Sequence, residues 1–387
     1  MSFYISGDKL FEYMVAYILR NNGYIAGVPR RKLGGRGTQH QVGVIGIDLN
    51  NSPFCLNTVL LVSARGPVTA DHIIDTQLVR NLKATLLDLE QTLPSRRELI
   101  RDLLDNNRGD LFHRIYGGKK VKETLTVNYV GGVFVAGEFS CPAWEYANAH
   151  GIYVVHLPEF IAGRSVRYWY GRIRCLMSQI LSEDGGLTLP GLAKKTKKVR
   201  DFREILALLQ QPLQGELLPE HSHDLFTVFN ELLRTEELAP LARSLQRTGL
   251  ATINGYPVVI EYNVGYKALL DAALSIYERK IKTIKSVVPA TTYKPLDVIH
   301  LKVREITPAA DNQVLRFSYQ VEEESVPLAI QNLAGAVYVP NAVLDKRSLE
   351  RFRLKMPLKA GLSLVCEFYR GADKRLEVRG ERLEVRS

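Results

Sequence analysis

Gly34-Gly35-Arg36-Gly37-Thr38-Gln39-His40-Gln41-Val42-Gly43 and Leu60-Leu61-Val62-Ser63-Ala64-Arg65 decide how this chain is read. The first is a basic, glycine-rich turn that runs into an apolar strand, Val42 to Leu49. The second closes a strand expected over Thr58 to Ser63. Successive side chains of a strand point to opposite faces. On that alternation Gly43 shares a face with Ile45 and Ile47, whereas Asp48 points with Val44 and Gly46 to the other. Ser63 and Arg65 share one face.

Upstream, Leu10, Phe11, Met14, Val15, Ile18 and Leu19 recur at three- and four-residue spacing, which predicts an amphipathic helix stopped by Asn21-Asn22-Gly23. A short strand around Tyr24 to Val28 precedes the basic turn. Downstream, past Pro67, the pattern predicts a helix from about Ala70 to Leu89, a buried strand Val127 to Ala136, a helix Ala143 to His150 and a strand Tyr153 to His156. The order α-β-β-β-α-β-α-β predicts an α/β fold with a mixed sheet flanked by helices.

The two opening stretches resemble the PD-(D/E)XK restriction-endonuclease-like group, in particular its Mrr-type branch, which carries a glycine-rich turn, an Asp on one strand and Glu-x-Lys on the next. The run Phe139-Ser140-Cys141-Pro142-Ala143-Trp144-Glu145-Tyr146-Ala147-Asn148-Ala149-His150-Gly151-Ile152 resembles the same pattern, in which a helix precedes the last core strand. The resemblance covers roughly the first 160 residues and implies a restriction-endonuclease-like mixed-sheet core. It also implies that the catalytic letters are missing: Gly43 stands at the place of the Asp, Ser63 at that of the Glu and Arg65 at that of the Lys. Glu12 stands where some members carry an auxiliary acid.

The chemistry of that family needs two carboxylates, because Mg²⁺ is a hard ion that must be held by oxygen donors beside the scissile phosphate. Glycine offers the ion nothing and serine one neutral hydroxyl. An ammonium can shift its pKa enough to handle a proton; a guanidinium stays charged, so Arg65 can hold a phosphate but not act as a base. A competing enzymatic reading moves the metal site onto Glu12, Asp48 and Glu138.

At 387 residues, with 46% hydrophobic content and a mean hydropathy of -0.08, the chain has material for two or three cored domains. Met1 to Arg20 includes Asp8, Lys9 and Glu12 inside its apolar pattern, and no run reaches transmembrane length. The expectation is a cytoplasmic protein without a membrane partner. Cys55, Cys141, Cys175 and Cys366 are scattered, with neither zinc spacing nor a disulfide framework. Lys plus Arg exceed Asp plus Glu by 51 to 41, giving +10 and a pI near 9.3, a bias towards polyanions.

These features divide the chain into a nuclease-like region over 1–162, a mainly helical middle region with a basic linker over 163–290, and a small all-β region over 291–387. In the middle, Gly163 to Ile180 reads as an arginine-rich helix, Lys194-Lys195-Thr196-Lys197-Lys198 as a solvated linker, Phe202 to Arg247 as mainly helical, and Ala251 to Glu261 as strand about the turn Asn254-Gly255. Tyr266 to Lys285 reads as an amphipathic helix. Beyond Pro289, Val298 to Val303, Val314 to Val321, Ala336 to Val339, Phe352 to Met356, Leu362 to Phe368 and Leu376 to Val378 alternate as strands.

Candidate nucleic-acid contacts are Arg30, Arg31, Lys32 and Arg36 in the turn, Gln39, His40 and Arg65 beside it, and Arg164, Arg167 and Arg174 on one helical face with Tyr168, Trp169 and Tyr170 interleaved. Lys194, Lys195, Lys197 and Lys198 add charge. Against each stands a plainer role: a solvated hairpin tip, core aromatics, or a promiscuous linker. His221 and His223 flank a helix start, with Asp224 expected near its N-cap rather than in a metal site. The expected function is a catalytically degenerate, nuclease-like protein without a resident cofactor. It would bind nucleic acid, duplex DNA first, and serve a catalytic partner in a restriction or anti-phage setting. A scaffold or homo-oligomer is the third reading.

Overall fold

The computed structural model describes residues 5–29, 32–47, 57–66, 73–92, 127–136, 138–157, 160–181, 219–253, 256–285, 298–308, 314–319, 327–331, 333–338, 351–357 and 363–369. Helix α1, Gly7–Asn21, opens on Ser6, whose hydroxyl accepts from the Lys9 amide at 3.2 Å. Asp8 sits in its first turn and Arg20 in its last, each matched to the helix dipole. Its apolar stripe, Leu10 to Leu19, is buried as the spacing predicts.

Five strands form a mixed sheet in the order β1 (Ile25–Gly27), β4 (Val44–Ile47), β5 (Asn57–Arg65), β7 (Val127–Val135) and β9 (Tyr153–His156). β1, β4 and β5 pair antiparallel; β5, β7 and β9 pair parallel. Parallel neighbours need crossovers, and α2 (Thr76–Thr92) and α3 (Cys141–Ala149) lie in them. On one face Val44, Leu60, Val62 and Ala64 pack into the core shared with α1. On the other, Ile45, Ile47, Val59 and Leu61 pack with Val79, Leu82 and Leu86 of α2 and Ala143 and Ala147 of α3. Between β1 and β4 the chain forms a short hairpin of β2 (Leu33–Gly34) and β3 (Gln39–His40). A second small pairing joins β6 (Ile73–Ile74) to β8 (Glu138–Phe139).

Helix α2 starts at Thr76 rather than near Ala70, because Ile73-Ile74 pair as β6 and the Asp75 carboxylate accepts from the Leu78 amide. The arginine-rich segment also starts late. Its first residues form a hairpin, β10 (Phe160–Ile161) and β11 (Arg164–Ser165), turned by Ala162 and Gly163 at positive φ. Helix α4 then spans Val166–Leu181.

Helix α5, Pro219–Leu232, contains His221, His223 and Asp224 inside it, so Asp224 is not at its N-cap; Pro219 takes the first helical position, where its missing N–H costs nothing. A 3₁₀ turn, Glu236–Leu238, leads into α6, Ala239–Arg247. Phe226 and Phe229 of α5 each lie 5.7 Å from the Tyr13 ring of α1, which extends one continuous core from the sheet into the middle of the chain.

The middle segment also supplies β12 (Thr248–Ile253) and β13 (Tyr256–Tyr262), an antiparallel hairpin. After α7 (Tyr266–Lys285) come β14 (Val298–Pro308), β15 (Val314–Tyr319), α8 (Leu328–Gln331), β16 (Ala334–Tyr338), β17 (Arg351–Pro357) and β18 (Ser363–Tyr369). Seven strands close into a barrel in the order β12-β13-β16-β15-β14-β18-β17, β12 meeting β17. The ring therefore takes two of its strands from upstream of residue 291. The strand expected over Leu376 to Val378 lies outside the described residues.

Asn22, at the end of α1, joins the two parts. Its Nδ2 donates to the Thr248 carbonyl at 2.9 Å and to the Ile18 carbonyl at 2.8 Å, and its Oδ1 accepts from the Leu250 amide at 3.0 Å. A single side chain thus acts as a short stretch of strand beside β12.

Candidate functional site

Gly43 lies in a bend immediately before β4, and the alternation drawn from the sequence does not reach it. A Cβ added there would point at α1, 2.6 Å from Glu12 Oε1 and 2.9 Å from its Cδ. Its direction is towards the α1 side, not the face of Ile45 and Ile47, because the bend turns the backbone before the pleat begins. The Glu12 carboxylate fills the space a side chain at position 43 would need. Lys9 Nζ donates to Glu12 Oε2 at 2.5 Å. Burial pushes the Glu12 carboxyl above its ordinary range; the Lys9 ammonium, and more weakly the Arg65 guanidinium, pull the other way.

Arg65 ends β5 and reaches back to α1. Its guanidinium donates to Asp8 Oδ2 at 2.9 Å, while the Gly66 amide donates to Asp8 Oδ1 at 2.9 Å. Ser63 precedes it with the buried Ala64 between, so the two keep the alternating placement expected of them. The Tyr170 hydroxyl, from α4, is buried close by with no hydrogen-bond partner among the described residues. Burial first, then the Asp8 carboxylate, raise its pKa well above the ordinary phenol value, against the opposing charge of Arg174. The sequence reading gives Asp8 and Lys9 no site role and places Tyr170 only among the aromatics of the arginine-rich helix. The i,i+4 spacing of Asp8 and Glu12 on an otherwise apolar helix was the available signal.

The donor set does not suit a hard dication. Glu12 is tied to Lys9 and Asp8 to Arg65, Gly43 has no donor, and Ser63 offers a neutral hydroxyl. Among the described residues no three His, Cys, Asp or Glu side chains converge as a metal-binding group. Asp48 and the Glu138 side chain lie outside what is described.

The basic hairpin is held from behind. Asp88 of α2 accepts from the Gly37 amide at 2.8 Å and pairs with His40 Nε2 at 2.6 Å; Thr85 Oγ1 stands 3.3 Å from His40 Nδ1. The bond to His40, followed by that from Gly37, holds the Asp88 carboxyl below its ordinary range. Gly35 is required by close approach: a Cβ there would stand 2.7 Å from Asp88 Cγ and 2.8 Å from His40 Nε2. His40, expected as a phosphate contact, has internal partners on α2. Lys32, Arg36 and Gln39 are exposed on the hairpin. Arg30 and Arg31 lie outside the described residues.

The α4 arginines divide between two surfaces. Arg164 is on β11, not on the helix, and its guanidinium lies 5.3 Å from the Tyr168 ring centroid. Arg167 is exposed, whereas Arg174 is half-buried and turned towards Gly7 and Tyr170. Trp169 and Tyr170 are core residues, Trp169 Nε1 donating to the Ile161 carbonyl at 2.7 Å; Tyr168 remains exposed. Arg167, Tyr168, Gly171, Arg172 and Cys175 line a shallow groove of about 350 Å³, where Arg172 pairs with Glu237 at 2.8 Å. Lys194, Lys195, Lys197 and Lys198 lie outside the described residues.

No family model matches the chain, and no curated protein matches it significantly. Among solved structures it is similar to AF1548, a protein of unknown function, at 12% identity and a TM-score of 0.27, over 58% of this chain and 97% of that one. The structure itself defines a mixed α/β protein in which none of the described helices is long and apolar enough to cross a membrane.

Proposed function

We propose that this chain has a restriction-endonuclease-like core that has lost catalysis and retained nucleic-acid binding, with the barrel as a second, all-β unit. Duplex DNA is the preferred ligand, and the protein serves as the DNA-binding or regulatory subunit of a cytoplasmic restriction or anti-phage complex. The observation that carries this reading is the Glu12 carboxylate standing against Gly43 and neutralised by Lys9. The place where the family resemblance implies a metal-binding Asp is filled by an internal ion pair, and the residue at the lysine position, Arg65, is held by Asp8.

Support for binding comes from the net charge of +10 and from the hairpin that Asp88 holds in one geometry with Lys32 and Arg36 exposed. Pinning the backbone lowers the entropy lost when such a tip meets phosphates. The test is fluorescence anisotropy of labelled duplex DNA, single-stranded DNA and RNA across a salt series with Mg²⁺ or Mn²⁺, the strands being recovered on a denaturing gel. Salt-dependent binding to intact duplex, weakened by Arg36→Ala, is expected. Cleaved strands would overturn the loss of catalysis; absence of binding would overturn the ligand.

A further inference from the structure

Gly171 sits in the interior of α4, fully in the exposed groove, where glycine is the least favourable non-proline choice for a helix. Gly43 and Gly35 are explained by what a Cβ would strike, Glu12 and Asp88, and Gly34 and Gly265, where it would strike nothing, stand on a short strand and just before α7 rather than inside a helix. At Gly171 no described atom lies within 4 Å of the added Cβ, and its φ is not in the left-handed region. Among the described residues neither packing nor backbone geometry calls for it. A bare backbone at that point leaves a flat floor beside Arg167 and Tyr168, which share its helical face four and three residues back, with Arg172 next to it on the groove's rim.

The surroundings state the charge of what fits. Arg167 carries no ion pair with a described acid, Arg164 stands over the Tyr168 ring, and Arg172 is the only groove cation met by a described carboxylate, that of Glu237. We propose that this groove is a seat for the phosphodiester backbone of duplex DNA, approached most closely at Gly171, with Arg167 and Arg164 meeting phosphates and the exposed Tyr168 ring lying against sugar. The inference rests on the nucleic-acid-binding reading above and locates the contact. Arg172 exchanges Glu237 for a phosphate on binding, so Glu237 acts as a competing anion.

Two exposed free cysteines among the described residues provide a test in the unaltered protein. Cys175 lines the groove, and Cys141, exposed on α3, is not among its lining residues. Iodoacetamide labelling, read by peptide mass mapping with and without saturating random-sequence duplex, is expected to slow at Cys175 and stay unchanged at Cys141. Gly171→Ala is expected to raise Tm while weakening DNA binding, a pairing that a merely structural glycine does not produce. Gly171→Leu should weaken binding about tenfold or more, Arg167→Gln should lower the salt slope by about 1, and Glu237→Gln should strengthen binding. If the wild type binds duplex but Cys175 keeps its rate and Gly171→Leu its affinity, the groove assignment fails while the binding reading stands. Protection by single-stranded DNA or RNA alone would overturn the duplex, and a wild type that binds no nucleic acid removes both.

Discussion

Replacing Asn22 by alanine removes one side chain and three hydrogen bonds, two of which cross from α1 to β12. The side chain is 9% exposed, so water does not readily take its place. The Thr248 carbonyl loses a donor and the Leu250 amide an acceptor. Each buried group left without a partner costs about 1–3 kcal/mol, and with Leu250 partly open to solvent the sum comes to about 2–4 kcal/mol. Asn22→Asp keeps the acceptor for Leu250 but turns a carboxylate oxygen towards the carbonyls of Ile18 and Thr248, so it should be at least as damaging as alanine. Urea unfolding followed by far-UV circular dichroism gives the loss; hydrogen exchange at the Leu250 amide shows whether it is local. A loss below about 1 kcal/mol in both variants, with Leu250 still protected, would refute the clamp.

Gly43→Asp is expected to destabilise by about 1–3 kcal/mol, since its Cβ must displace the Glu12 carboxylate and its charge opposes it; adding Glu12→Ala should recover most of the loss, a coupling read from a double-mutant cycle of urea midpoints. Because burial raises the Glu12 carboxyl, the folded chain binds its proton more tightly than the unfolded chain, and stability from this group falls as pH rises from the ordinary value of 4.5 through the folded one. Glu12→Gln should therefore gain stability relative to wild type at neutral pH and lose that advantage in acid, as urea titrations at both ends would report. Asp88 has the opposite sign: its bonds stabilise the hairpin above the ordinary carboxyl range and are lost as pH falls through the lowered value. Asp88→Ala should speed exchange of the Gly37 amide and weaken DNA binding without changing its salt slope.

Local periodicity made much of the α/β part legible. Tyr153 to His156 and Tyr266 to Lys285 have the limits their apolar patterns predict, and the end of α1 falls at Asn21-Asn22-Gly23. What stayed hidden depends on partners far away in the chain. Asn22 reads as a helix stop, but its bonds span more than two hundred residues to the barrel. His40 reads as a phosphate ligand because nothing in the sequence connects it to Asp88, 48 residues on. The direction of Gly43 was misread for a different reason: strand periodicity holds only where the chain is pleated, and the bend before Val44 resets it. Alternation after Pro289 identifies strands but not neighbours, which is why β12 and β13 looked separate from the ring they help to close.

That ring also imposes a timetable on biosynthesis. β12 is sealed by β17 through Thr252 and Lys355, and β14 lies parallel to β18, whose last residue is Tyr369. The ribosome has delivered the whole five-stranded sheet by His156, yet the β12–β13 hairpin must wait, with unpaired edges, while a further hundred or so residues emerge. Waiting edges recruit strands from other chains. Docking of the hairpin onto α1 through Asn22 shortens that exposure by holding it on an already folded core. Translation stalled before β17 would therefore leave a folded first half carrying an adhesive, half-made sheet.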